Sequence, residues 1–176
     1  MTSSSSGLSL PLAVVLAGCT ALPIEVGVPI EEQRVEGSPV PGDLPLDIPI
    51  PLDIDLEAET EARGTGPARR VQLQNLVLRV TDTAEPAGDR DDFGFITRVE
   101  VFVEPVDAGS PLARERVAVS GEPSDEGREL PFDEDRGINL RPYIEAGARL
   151  TTSATGTVPP DDVTLDGHVT LGLAVF

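Results

Sequence analysis

The chain has 176 residues and a formal net charge of −18, set by 31 Asp and Glu against 13 cations, all of them Arg. A duplex binder neutralises phosphates with clustered basic residues; the only adjacent basic pair here is Arg69-Arg70, which rules out most nucleic-acid readings. One Cys, one His, one Tyr and no Trp remove the raw material of disulfide scaffolds, structural zinc sites and aromatic binding floors. With 17 Gly, 17 Pro and 39% hydrophobic residues, the composition lies between a compact all-β domain and a chain with long extended stretches.

Residues Leu8 to Ala17 read L-S-L-P-L-A-V-V-L-A. This run has the length of a signal-peptide apolar region, and it is too short to cross ~30 Å of hydrocarbon as a helix. The preceding residues, Met1 to Gly7, carry no Lys or Arg. The run ends in Leu16-Ala17-Gly18-Cys19, and Cys19 is the sole Cys of the chain. The alternative for Cys19 is an ordinary small apolar residue in a core segment.

The Leu16–Cys19 run resembles the lipobox of bacterial lipoproteins, and the chain as a whole resembles the small envelope lipoproteins of unassigned function. The resemblance implies that residues 1–18 are a removed signal peptide and that the Cys19 thiol is acylated. Each buried CH₂ of an acyl chain contributes ~0.8 kcal/mol, and more than one chain makes anchoring stable. Thr20 stands where Asp marks inner-membrane retention, so the resemblance also implies the outer membrane, with the protein periplasmic or surface-exposed.

A doubled motif follows. Residues 22–31 read L-P-I-E-V-G-V-P-I-E and residues 44–53 read L-P-L-D-I-P-I-P-L-D, aligned without a gap; only Gly27 against Pro49 changes type. In the second copy Leu44, Leu46, Ile48, Ile50, Leu52, Ile54 and Leu56 occupy every even position. A period of two is the signature of a half-buried strand. Pro45, Pro49 and Pro51 are all odd, so their missing donors lie along one edge, which makes this an edge strand. A polyproline-like tether fits the same composition. Both readings stay open for the first copy, next to Cys19, while the second copy's register favours the strand. The expected division is therefore a lipidated tether with the first copy over 19–43, a Pro-rich edge strand and linker over 44–70, and a β-domain over 71–176.

From Val71 onward, apolar stretches of strand length alternate with turn residues. Val71 and Leu73 keep odd register, then Leu76, Leu78 and Val80 keep even register, so the parity slip near Asn75 predicts a bulge. Strands are expected over 96–104, 116–120, 129–132, 138–140 and 149–158. The last, from Val163 to Val175, holds one register through Asp166-Gly167, which predicts one long strand with a Gly kink rather than a hairpin. Pro142 to Ala146 reads as a helical turn, with Pro at its start and Gly147 at its end. The expected fold is all-β, an antiparallel β-sandwich of immunoglobulin-like or jelly-roll-like kind, with a core of Val, Leu and Ile in which the five Phe supply most of the bulk.

Catalytic templates are absent: no H-E-x-x-H, G-x-S-x-G, P-loop or G-x-G-x-x-G is present. His168 falls opposite the Val/Leu face of the last strand and reads as a solvated imidazole. Asp89, Asp91, Gly94 and Glu100 match positions one, three, six and twelve of the calcium loop. Phe93 occupies the fifth position, where an oxygen ligand is needed, so an acidic connecting loop is the simpler reading; Asp133 to Gly137 is a weaker case, read as a turn. No catalytic residue, metal ligand or cofactor is therefore assigned, and Cys19 is the one site residue. The expected role is non-enzymatic, binding an unidentified envelope partner or serving structurally. A calcium-stabilised adhesion module and a carrier of an apolar ligand are the alternatives.

Overall fold

The computed structural model describes residues 24–38, 40, 50–52, 54–82 and 91–175. Eight strands build the body: β1 (Ile24–Val35), β2 (Ile50–Pro51), β3 (Ala68–Val80), β4 (Ile96–Pro105), β5 (Glu115–Ser120), β6 (Glu129–Glu134), β7 (Ala148–Gly156) and β8 (Val163–Val175). Two short helices, α1 (Leu56–Glu61) and α2 (Arg141–Glu145), join them. The strands form one sheet in the order β1-β8-β3-β6-β5-β4-β7-β2, every neighbour antiparallel. The sheet curls so that its two halves share one core, a sandwich-like all-β fold.

β8 is the spine. Its odd residues Val163, Leu165, Val169, Leu171, Leu173 and Val175 are buried, and it pairs with β1 on one side and β3 on the other. Asp166-Gly167 lies inside this strand, as the unbroken parity predicts. Gly167 is squeezed between neighbours: a Cβ there would lie 2.6 Å from the Val77 carbonyl oxygen and 2.8 Å from Leu78 Cδ2.

The curl is made by β6, whose first half pairs with β3 through Glu129–Pro131 while its second half, from Phe132, pairs with β5. A strand that changes partners in this way turns the corner between two layers. Pro131 at the corner keeps its carbonyl in use, accepting from Gly121 N at 2.9 Å.

The predicted bulge is present, as a register shift between Leu73 and Asn75. Glu134 reaches it from β6, and its Oε1 accepts from Leu76 N at 3.1 Å. Buried donors need such a partner where the ladder is interrupted.

Several expectations are corrected. Residues 24–35, for which strand and tether both stood open, form a twelve-residue strand with Ile24, Val26, Ile30 and Val35 in the core, so the tether part of the 19–43 reading does not hold for them. Of the second copy, Ile50–Pro51 pairs with β7, while residues 41–49 lie outside the described set. Residues 57–61, read as linker, belong to α1: Asp55 caps it by accepting from Ala58 N at 2.9 Å, and the Thr60 hydroxyl donates to the Leu56 and Glu57 carbonyls. No strand forms over 138–140. There Asn139 Oδ1 accepts from Val71 N at 3.0 Å and Leu140 N donates to Val71 O at 2.7 Å, which fastens a loop beside β3.

The helical turn at Pro142 is present as α2, ended by Gly147 at φ +69, a left-handed conformation that suits glycine. Its Tyr143 is buried and donates to the Ala113 carbonyl at 2.7 Å; burial first, then the nearby Glu115, pushes the phenol above its usual value. Phe93, Phe95 and Phe132 are buried, but Phe102 lies on the outer face under Arg114, whose guanidinium carbon is 3.6 Å from the ring centroid. Phe176 is outside the described residues; the core is mainly Val, Leu and Ile, as the low aromatic content implies, with Phe93, Phe95 and Phe132 adding bulk.

Gly167→Ala is expected to cost about 1–3 kcal/mol through overpacking against β3 backbone. A urea titration should show a lower midpoint with an unchanged slope. An unchanged midpoint would contradict the close approach of β8 to Val77.

Candidate functional site

Cys19 lies outside the described residues, and Ile24, five positions later, is the first residue described. Ile24 pairs with Leu173 near the end of β8, while Ala68 at the start of β3 pairs with Val175. The same end of the sheet holds the last residues of β4 and the first of β7, joined through Pro105 and Ala148. α1 reaches it too: Arg63, just past that helix, donates to the Glu25 carbonyl at 3.3 Å and is ion-paired with Glu59. The end nearest to Cys19 in the sequence is thus the end that carries both helices.

At the opposite end, β1 is clasped to the loop before β8. Asp162 accepts from Gly37 N at 2.8 Å and pairs with Arg34, and Ser38 N donates to the Pro159 carbonyl at 2.8 Å. A Cβ on Gly37 would fall 2.1 Å from the Asp161 carbonyl carbon, so the chain passes there as glycine. The Gly37 amide, then the Arg34 guanidinium, hold the Asp162 carboxyl below its ordinary value of 3.8.

On the outer face of β4, Glu100 pairs with Arg98 at 3.0 Å and Arg116 at 2.7 Å, and Glu104 pairs with Arg114 at 3.3 Å and Arg149 at 2.9 Å. The Arg116 and Arg98 guanidiniums hold the Glu100 carboxyl below the usual carboxylate value. Exposed pairs of this kind contribute little to stability, but they engage the acids that a cation would need.

This settles the geometry of the calcium-like segment. Glu100, its twelfth position, points into that arginine pair; Phe93, its fifth, is fully buried; Asp92 caps a 3₁₀ turn by accepting from Gly94 N at 2.8 Å. Asp89 lies outside the described residues. In the second acidic segment Asp135 accepts from Gly137 N at 2.8 Å, the turn the sequence predicts. Among the described residues, no group of three or more His, Cys, Asp or Glu is placed to hold a metal ion.

His168 is exposed on the outer face of β8, opposite Pro29 in the pairing, and its ring lies over Gly27, where a Cβ would be 2.7 Å from Nε2. Two surface recesses are lined by described residues. One, of about 460 Å³, lies between α1 and α2 and is lined by Leu56, Thr60, Pro67, Arg141 and Glu145; the other, of about 340 Å³, lies between Asp92 and Pro159. Both are open and mixed in polarity. The inward side chains of the strands pack into one cluster of their own.

No family model matches the chain, and no curated protein matches it. Among solved structures, a chain described as Desmodium yellow mottle tymovirus matches at 14% identity, over 100% of this chain and 95% of that one, with a TM-score of 0.22. A likeness at that level carries no argument about fold or function. No helix among the described residues is long and apolar enough to cross a membrane.

Two outcomes are expected. Asp162 is depressed in the folded state, so its stabilisation is present at neutral pH and lost as the pH falls below 3.8 through the folded value. Asp162→Asn should therefore lower the thermal midpoint at pH 7, with the gap to the unaltered protein closing on acidification; a gap that persists at low pH would show that charge is not the source. Separately, EDTA should leave the thermal midpoint unchanged, since a bound cation stabilises by mass action and its removal would lower it.

Proposed function

We propose that the chain is a lipid-anchored protein of the bacterial cell envelope, held by acyl chains on Cys19 and acting through binding or as a structural component rather than by catalysis. The observation that carries this reading is the Leu16-Ala17-Gly18-Cys19 run at the end of a signal-length apolar stretch, with the sole thiol of the chain where acylation needs one. Thr20 points to the outer membrane as the destination.

Two further facts support it. Residues 1–18 are uncharged, so cleavage before Cys19 leaves the −18 balance on the mature chain. An acidic body of that kind is repelled by anionic lipid surfaces, so attachment falls to the acyl chains. Furthermore, the folded body is made of strands that fill their own core, which suits a scaffold presenting surfaces and loops.

Cys19→Ser is the direct test. Cells expressing the unaltered chain should yield it in the membrane fraction, labelled by radioactive palmitate, whereas the serine variant should be unlabelled and soluble. A serine variant that still pellets with membranes would defeat the proposal.

A further inference from the structure

The two ends of the sheet differ in reach from Cys19 and in charge. Four residues separate Cys19 from Ile24, five chain steps in all, a covalent reach of at most ~18 Å. β8 alone has thirteen residues, or ~40 Å of strand. The attachment point therefore stays close to the end where β1 begins, and the clasped end is too far away to share that point's contact with lipid while the strands stand upright.

Charge decides against the strands lying flat. The described connecting segments at the clasped end (36–38, 40, 81–82, 91–95, 121–128 and 157–162) hold nine acids and one arginine. Those at the other end (51–52, 54–67, 106–114 and 135–147) hold seven acids and four arginines, Arg63, Arg114, Arg136 and Arg141. The adjoining strand ends add Arg69, Arg70 and Arg149 together with Glu25, Glu104 and Glu115, and Arg70 donates to the Arg136 and Gly137 carbonyls at 2.9 and 2.8 Å. Repulsion from anionic lipid acts over about one Debye length, ~8 Å at physiological salt. An upright body keeps the clasped end's acids beyond that distance, whereas a flat one brings them, and Glu31 and Glu32 of β1, within it.

We infer that the end of the sheet bearing Ile24, α1 and α2 is a membrane-facing surface whose partner is the lipid headgroup layer, with the acidic clasped end projecting away. The inference rests on acylation of Cys19, and its test separates the two. Val106 and Val40 are the exposed large hydrophobic residues of the described chain, 66% and 69% exposed, and they sit at opposite ends. Val106→Cys and Val40→Cys therefore each add a single reactive thiol without touching the core, since acylated Cys19 does not react.

Each full-length lipidated variant would carry a bimane label and be reconstituted in phosphatidylethanolamine–phosphatidylglycerol vesicles containing nitroxide lipid. Quenching at position 106 is expected to exceed that at position 40 by at least threefold. Equal quenching, or stronger quenching at 40, on protein whose intact mass shows acylated Cys19 would overturn the orientation alone. Protein with unmodified Cys19 would overturn the anchoring and the orientation together.

Discussion

The structure depends on one constraint, the unbroken alternation of β8. Six odd-numbered aliphatic side chains from Val163 to Val175 are buried, and the strand is hydrogen-bonded on both sides, by β1 and by β3. A one-residue slip would carry every one of those side chains to the outer face. At about 1.5–3 kcal/mol for each fully buried aliphatic side chain, such a slip costs as much as the whole stability of a typical domain. The register of β8 therefore sets the registers of β1 and β3, and through β3 it sets where β6 turns the corner. At Gly167 this spine passes close to both neighbours, facing Ile30 on one side and Leu78 on the other.

Around that spine, the irregular positions are where polar side chains are used. The bulge at Asn75 is served by Glu134, the loop beside Val71 by Asn139, and the end of β1 by Asp162. In each case a side-chain oxygen accepts from a backbone N–H that the ladder leaves unpaired. Leaving such a donor unsatisfied costs on the order of 1–3 kcal/mol, more than an exposed ion pair returns. This ranks the acids of a −18 chain: most only add solubility and repulsion, whereas these few side chains hold the sheet to its shape.

The legibility of the fold follows the same division. Period-two alternation is a local signal, so β3 with its slip at Asn75, β4 with Val99, Val101 and Val103, and β8 through Gly167 are readable from the sequence. Elements decided by distant partners are not. β1 reads equally as a tether because its Pro and Glu content suits either state; what makes it a strand is the edge of β8, 128 to 149 residues away in the chain. The short strand expected over 138–140 is apolar enough but lacks a ladder, since Asn139 and Leu140 both spend their bonds on Val71. For α1 a signal was present: Asp55 followed by Leu-Glu-Ala-Glu is an N-cap before helix formers, a pattern easily overlooked inside an acidic linker. Glu100 matched the end of a calcium loop by spacing, but spacing does not register that Arg116, on a neighbouring strand, takes that carboxylate. Cys19 is legible only as a motif, and its chemistry is covalent rather than conformational.

The doubled motif gains a physical reason from where its two copies lie. In the linear order of strands, β1 and β2 are the two ends of the sheet. Val28 and Pro29 of the first copy pair with Val169 and His168; their equivalents at an offset of 22, Ile50 and Pro51, pair with Leu150 and Arg149. Each copy thus sets an aliphatic residue opposite a buried aliphatic one and a proline opposite an exposed basic side chain. Among the described residues no ladder joins β1 to β2, which leaves two terminal edges, and both face the same hazard of pairing with another chain. Proline removes a donor from an edge strand while leaving its inward side chains free to fill the core. One short sequence used twice therefore meets one requirement twice. The single change of type between the copies, Gly27 against Pro49, falls where His168 lies across Gly27, and a Cβ there would require the imidazole to move.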